Sequence, residues 1–248
     1  MPCPRGVIVN VGRRLAVLIP VFASMLLVLL SFAPPASPQS CNGPGHERWP
    51  IKTSISPKVD LSKSKEVALA DLLALPQAPG VKHNDSRFAN DRIPAFDNSL
   101  NVKEGDLLTT TGWLFLVATE KDDCDYHIQI SPVSRTTTNK PAASDDCLIV
   151  EAPKPDFVDN ADLKDAVTTV RSYISTKLLR GKEPANAGSV MIHPVCVKVT
   201  GQLFYDDAHV GSRGPELRGK RDMMSHTLWE LHPITSFTIV PAARCPAS

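Results

Sequence analysis

From about residue 105 onward the chain alternates apolar and polar positions at the two-residue period of half-buried strands. Leu107 to Ala118 is a strand-like run with Gly112 in its middle, where glycine signals a bulge or sharp coiling. After the acidic turn Glu120 to Asp125, the residues Tyr126, Ile128 and Ile130 alternate with His127, Gln129 and Ser131, which predicts one dry and one wet face. A third short strand follows from Cys147 to Ala152. The period then changes. Leu163, Ala166, Val167, Val170, Ile174 and Leu178 recur at three to four residues, which predicts an amphipathic helix capped by Asp159 or Asn160 and ended at Gly181. Val195, Val197, Val199, Gly201 and Leu203 give one face of a fourth strand. Thr227 to Val240 supplies a fifth, interrupted by Pro233, which belongs at an edge or bulge.

Three strands, a helix and two strands contain too little helix for a doubly wound parallel sheet. The expected class is mainly β: a small five-stranded OB-like Greek-key barrel with one crossing helix. Glycines inside the first and fourth strands suit tight barrel curvature. An open or sandwich-like sheet built from the same elements is the alternative. The barrel domain is expected over residues 105–245. Residues 41–104, rich in Pro, Ser and Lys, read as a linker with one short helix, Ser64 to Leu75, capped by Ser62 or Ser64. The segment DSRFANDRIPAF within it has too few apolar residues to form a core of its own, so it either wraps over the barrel or stays mobile.

Residues 1–40 carry three arginines and no acid, and contain the apolar run Leu15 to Ala33, the order of an export signal or a signal anchor. The expected location is therefore periplasm, cell envelope or the outside of the cell, with membrane contact only through this segment. Past it lie Cys41, Cys124, Cys147, Cys196 and Cys245, an odd number in a disulfide-permissive compartment. The expected pairs are Cys124 with Cys147 and Cys196 with Cys245, leaving Cys41 free for lipidation or another chain. Cys41 with Cys245 is the alternative. Without the first 40 residues the chain has 24 Lys/Arg against 26 Asp/Glu, which gives no general attraction to a polyanion.

The segments GWLFLVATEKDDCDYHIQIS, CLIVEAP, VTGQLFYDDAH and SHTLWELHPITSF resemble a group of exported bacterial proteins that share strands ending in a D-x-x-H turn and a WE(L/I)HP signature. The resemblance covers roughly residues 105–240 and implies export and an OB-like strand order. Parts of it are similar to domains found near secreted nuclease modules.

Candidate chemistry concentrates between Gly201 and Pro233, which holds three of the seven histidines. If Trp229 and Leu231 fill the barrel, Glu230 and His232 lie on its outer surface. The same rule puts His127, Gln129 and Glu151 outside, and an OB-like order sets the third strand between the second and the fifth. His127, Glu151, Glu230 and His232 then converge as candidate ligands for zinc or manganese, or as an acid/base pair. The structural reading is that Glu230 and His232 make fixed hydrogen bonds, with Pro233 ending the paired strand. Asp206 and His209 form a second carboxylate–histidine candidate, in which Asp206 caps the turn or His209 folds back onto it. Arg213, Arg218, Lys220 and Arg221 make Gly211 to Ser225 a loop of net +2, the candidate ligand-binding loop. Its counterpart, the first hairpin, has four acids against one base, which counts against nucleic acid. There is no HExxH, CxxC, P-loop, dinucleotide or GxSxG motif. The function expected is an exported binding module for a protein or small ligand. The alternatives are a metal-assisted hydrolase, phosphodiesterase-like or nuclease-like, and a structural envelope protein.

Overall fold

The computed structural model describes residues 41, 43, 47–57 and 59–247, so the predicted signal lies outside the described residues. Five strands, β1 (Leu107–Thr119), β2 (Tyr126–Ser131), β3 (Leu148–Ala152), β4 (Ser189–Tyr205) and β5 (Trp229–Val240), carry the fold, with helices α1 (Trp49–Lys52), α2 (Leu69–Leu73) and α3 (Ala161–Leu178). The strands neighbour one another in the order β1-β2-β3-β5-β4, and β4 pairs back onto β1, so the sheet closes. β3 and β5 run parallel and the other pairs antiparallel. This is the small OB-like barrel that the strand order predicts, with α3 as its crossing helix.

The alternation fills it. Tyr126, Ile128, Ile130, Leu148, Val150, Leu203, Trp229 and Leu231 form one buried cluster, joined by Leu163, Val167, Val170 and Ile174 of α3. Asn160 caps that helix by accepting from the Leu163 N–H at 2.9 Å. The two in-strand glycines mark close approaches. A Cβ at Gly112 would sit 2.6 Å from Leu69 Cδ2, and one at Gly201 would sit 3.0 Å from Ile234 Cα. Pro233 follows a cis peptide after His232, and the β4–β5 register shifts between Leu231 and Ile234.

Ahead of the barrel, the Pro/Ser-rich segment is bound to it over most of its described length. Its helix is shorter than expected and starts at Leu69, with Ala68 rather than a serine at the cap. Leu69, Leu72, Leu75, Ala78, Ile93 and Val102 are buried with the barrel core. Phe96 stacks on Trp229 at 6.0 Å, and the Trp229 indole N–H donates to Pro76 O. Each buried Leu, Ile or Val among them contributes about 1.5–3 kcal/mol. DSRFANDRIPAF thus wraps the barrel, because Ile93 with Phe88 and Phe96 is enough when the surface they pack on is already built.

Residues 47–56 form a strap over the outer wall, and Arg48 locks it. The Arg48 guanidinium is buried and donates to both oxygens of buried Glu104 at 2.7 and 2.8 Å, and also to the carbonyls of Phe88, Asp91 and Tyr205. Glu104 in turn accepts from the N–H groups of Tyr205 and Ile93. Further along, Gln202 accepts from Ser56 N–H and donates to Ser54 O.

The disulfides correct one expectation. Cys196 bonds Cys245, as predicted, but Cys124 bonds Cys41, and Cys147 is a buried thiol. The Cys124–Cys147 pair is excluded by the hairpin register. Leu148 faces Ile130, six residues on from Cys124, about 20 Å at 3.3 Å per residue, against a bridging limit of about 7 Å. Burial pushes the Cys147 thiol up to about 12, so it is inert.

Truncating Arg48 to alanine leaves a buried carboxylate without its cation, and the expected cost is about 3–5 kcal/mol. Urea unfolding with disulfides intact checks this. A loss below about 1 kcal/mol would show that the pair does not hold the strap.

Candidate metal centre

Two facts of register assemble the site. His127 pairs with Glu151 across β2 and β3, and Glu230 pairs with Ile149 across β3 and β5. Residues opposite one another share a face, so His127, Gln129, Glu151, Glu230 and His232 share the outer wall, turned away from the dry core. The structure sets His127 and His232 each against Glu151, whereas Glu230, predicted as a ligand with them, pairs with Arg218. His127 Nδ1 lies 2.9 Å from Glu151 Oε1 and 3.4 Å from Glu120 Oε1, and His232 Nδ1 lies 3.1 Å from Glu151 Oε2. On its far side, His232 Nε2 is 3.2 Å from Asp125 Oδ2.

The wall is not open to solvent, however. His127, Glu151 and Glu230 are buried and His232 is 0 % exposed, because two covers lie over them. One is the strap, which contributes Glu47, Trp49 and Lys52. The other is a hairpin of Arg218–Lys220 paired with Met223–Ser225, pinned by Gln129. The Gln129 side chain accepts from Lys220 N–H at 2.7 Å and donates to Met223 O at 2.5 Å. Between the covers remains a pocket of about 790 Å³, lined by both of them, by the first hairpin and by the wall. It occupies the surface where OB folds usually take their ligands.

Its electrostatics are acidic. Glu47, Glu120, Asp122, Asp123, Glu151, Asp206 and Glu230 face Lys52, Arg218 and Lys220, a net of −4 with the histidines neutral. Burial alone would drive the His127 ring toward its neutral form, but the hydrogen bond and charge of Glu151 outweigh it and hold the pKa above the usual value. His232 behaves likewise: burial opposes its charge, and Asp125, Glu151 and Glu230 raise its pKa well above the imidazole range. Burial works against the Glu151 carboxylate, yet the two imidazoles keep its pKa well below normal. Desolvation and the nearby Asp125 and Glu151 push Asp123 up to about 6.

Two sets of ligand atoms fit a cation. Glu120, His127 and Glu151 form one and Asp125, Glu151 and His232 the other, each with its atoms within 4.8 Å of one another. A tetrahedral ion with bonds of about 2.0–2.1 Å holds its ligands about 3.3 Å apart, close to the 2.9 and 3.4 Å around His127 Nδ1.

Asp206 and His209 sit beside the pocket in a different role. Asp206 does not cap its turn. It accepts from His209 at 2.7 Å and pairs with the Arg218 guanidinium, which also pairs with Glu230 and donates to Thr227 O. Arg218 is thereby buried, and Lys220 pairs with Glu120 at 3.1 Å. Of the four cations in the basic loop, only Arg213 and Arg221 are exposed. Sequence reasoning missed Lys52, Trp49 and Glu47, which came from a segment without a strand or long helix to orient them. It also left Asp125 and Glu120 as turn residues. The adjacency of Asp125 to β2 was the signal for them, since a residue one step before a strand must point along a wall already known. Comparison with protein families, with curated proteins and with solved structures gave no match for this chain.

The His209–Asp206 hydrogen bond raises the His209 pKa, so its stabilisation is complete below about pH 6.5 and is lost as pH rises through the raised folded value. By NMR, His209 should titrate above 6.5, and Asp206→Asn should bring it back toward 6.5. A midpoint unmoved by that substitution would mean that the pair does not exist in solution.

Proposed function

We propose that the pocket is the active site of a metal-assisted hydrolase. The observation that carries the reading is the Glu120, His127 and Glu151 set, all three of which line the pocket and would hold an ion at its wall. Such an ion would lower the pKa of a bound water toward neutrality and polarise the oxygen of the scissile group. We assign the proton shed by that water to Asp123 on the same wall, and the developing negative charge on the substrate to the Lys52 ammonium. Burial opposes the Lys52 charge, but Glu151, Asp206, Glu230 and Glu47 outweigh it and keep the amine protonated. It therefore acts as a fixed cation and not as a base.

The substrate is restricted by charge. One dication leaves the walls at about −2, which repels a long polyanion such as nucleic acid and admits a substrate that presents only its acyl or phosphoryl group. We infer further that the protein works outside the cytosol, since its two disulfides persist in an oxidising space and its first 40 residues have the order of an export signal. The placement of the pocket on the usual OB ligand surface supports a second reading, a metal-dependent binding module without turnover.

Purified protein should contain zinc or manganese, and His127→Ala should lower its metal content and cost at least 100-fold of the hydrolysis of chromogenic carboxylic and phosphoric esters, about 3 kcal/mol of barrier. Unchanged metal content in His127→Ala and Glu120→Gln would remove the basis for the enzyme. Metal that is lost with the variants but supports no hydrolysis in wild type would leave the binding module.

A further inference from the structure

The second set of ligand atoms is not used by that mechanism. His232 is 0 % exposed, and neither of its ring nitrogens has a hydrogen-bond partner. Asp125 Oδ2, on its far side, has none either. The close approaches of His232 to Asp125 and Glu151 bring opposite charges together without the directions of hydrogen bonds. Native folds rarely bury polar atoms in this state, and Glu230 Oε2, 3.8 Å from His232 Nδ1, is a further buried oxygen without a partner, so the layer has unfilled capacity for a cation.

Glu151 connects this layer to the pocket. Its two oxygens divide between two imidazoles, Oε1 toward His127 and Oε2 toward His232. We propose that Glu151 bridges two divalent cations, an outer one held with Glu120 and His127 and an inner one held with Asp125 and His232. This rests on the hydrolase reading for the outer ion and adds the inner one. A carboxylate bridge suits ions about 3.5–4 Å apart, the spacing of two-metal hydrolytic centres. The mixed oxygen and imidazole donors suit zinc or manganese.

Charge agrees. With Asp125 added to the pocket walls, eight carboxylates face three fixed cations, a net of −5 with neutral histidines. One dication leaves −3 and two leave −1. The inner ion thus cancels charge that the outer one cannot, and it anchors Glu151 from behind. Asp125 is itself fixed, because its Oδ1 accepts from Lys154 N–H at 3.2 Å, leaving Oδ2 for the ion.

The test uses the full exported chain with its disulfides intact, stripped with chelator and reloaded with manganese alone. Wild type should bind two ions per chain by elemental analysis. Two bridged Mn²⁺ ions should also give an exchange-coupled paramagnetic resonance spectrum in place of the six-line pattern of isolated ions. Asp125→Asn, which preserves shape and the Lys154 contact, should bind one ion and restore the six lines. His127→Gln should likewise keep one, and Glu151→Gln should keep almost none. One ion per chain in wild type, unaffected by Asp125→Asn but lost with His127→Gln, would overturn the inner site and leave the hydrolase reading standing. No manganese or zinc bound at all would overturn both. Since the wild-type count and spectrum decide the question alone, a variant that fails to fold does not shield it.

Discussion

The pocket exists because one guanidinium is buried. Arg48 crosses from the strap to Glu104 just ahead of the barrel and binds the carbonyls of Phe88 and Asp91, the two ends of one turn, and of Tyr205 at the end of β4, so one side chain ties the strap, that turn and the Glu104 stretch to the barrel. Irregular chain has few means of satisfying its own carbonyls, and a five-donor planar cation supplies them at once. In the chain-entropy account the Cys41–Cys124 bond, closing 83 residues, adds about 4–5 kcal/mol to the same end. Together with the Gln202 bonds to Ser54 and Ser56, these links hold the strap residues where they face His127 and Glu151.

The barrel divides its labour by face. Inside, alternate residues of each strand and the α3 stripe form an apolar core, in which Thr110, opposite Val199, is a buried polar exception. Outside, along β2, β3 and β5, the other alternate residues His127, Gln129, Glu151, Glu230 and His232 are polar and yet almost fully covered, with Ile149 the apolar member among them. That covering turns ordinary surface charges into strongly coupled ones, because water no longer screens them. The positions of His127, Glu151 and His232 are set by strands, and the covers that desolvate them are loops. Rigid placement and adjustable cover are thereby separated.

Much of this was legible in the sequence, and the exceptions have physical causes. Two-residue alternation fixes the face of His127, Gln129, Glu151, Glu230 and His232, and the closed strand order then makes them neighbours. Alternation cannot say what lies over a polar face. A wet-looking strand side reads the same whether it meets solvent or a strap, so the predicted surface cluster became a buried one. The strap was unreadable because its attachment rests on Arg48, a residue type that normally signals exposure. The Cys124–Cys147 pairing failed because closeness along the chain was taken for closeness in space, while an antiparallel hairpin sends those two residues to opposite ends. The basic loop from Gly211 to Ser225 looked like an anion-binding surface by count. Folding spends Arg218 and Lys220 on Asp206, Glu230 and Glu120.

Cys124 stands between Asp123 and Asp125, so the sulfur bridge that secures the strap is inserted directly into the acidic turn of the site. A newly made chain with reduced thiols has every residue of the centre but no covalent link holding its roof to its floor. Completion of the cleft is therefore coupled to the arrival of an oxidant, and the chain carries in its own topology a record of where it is finished.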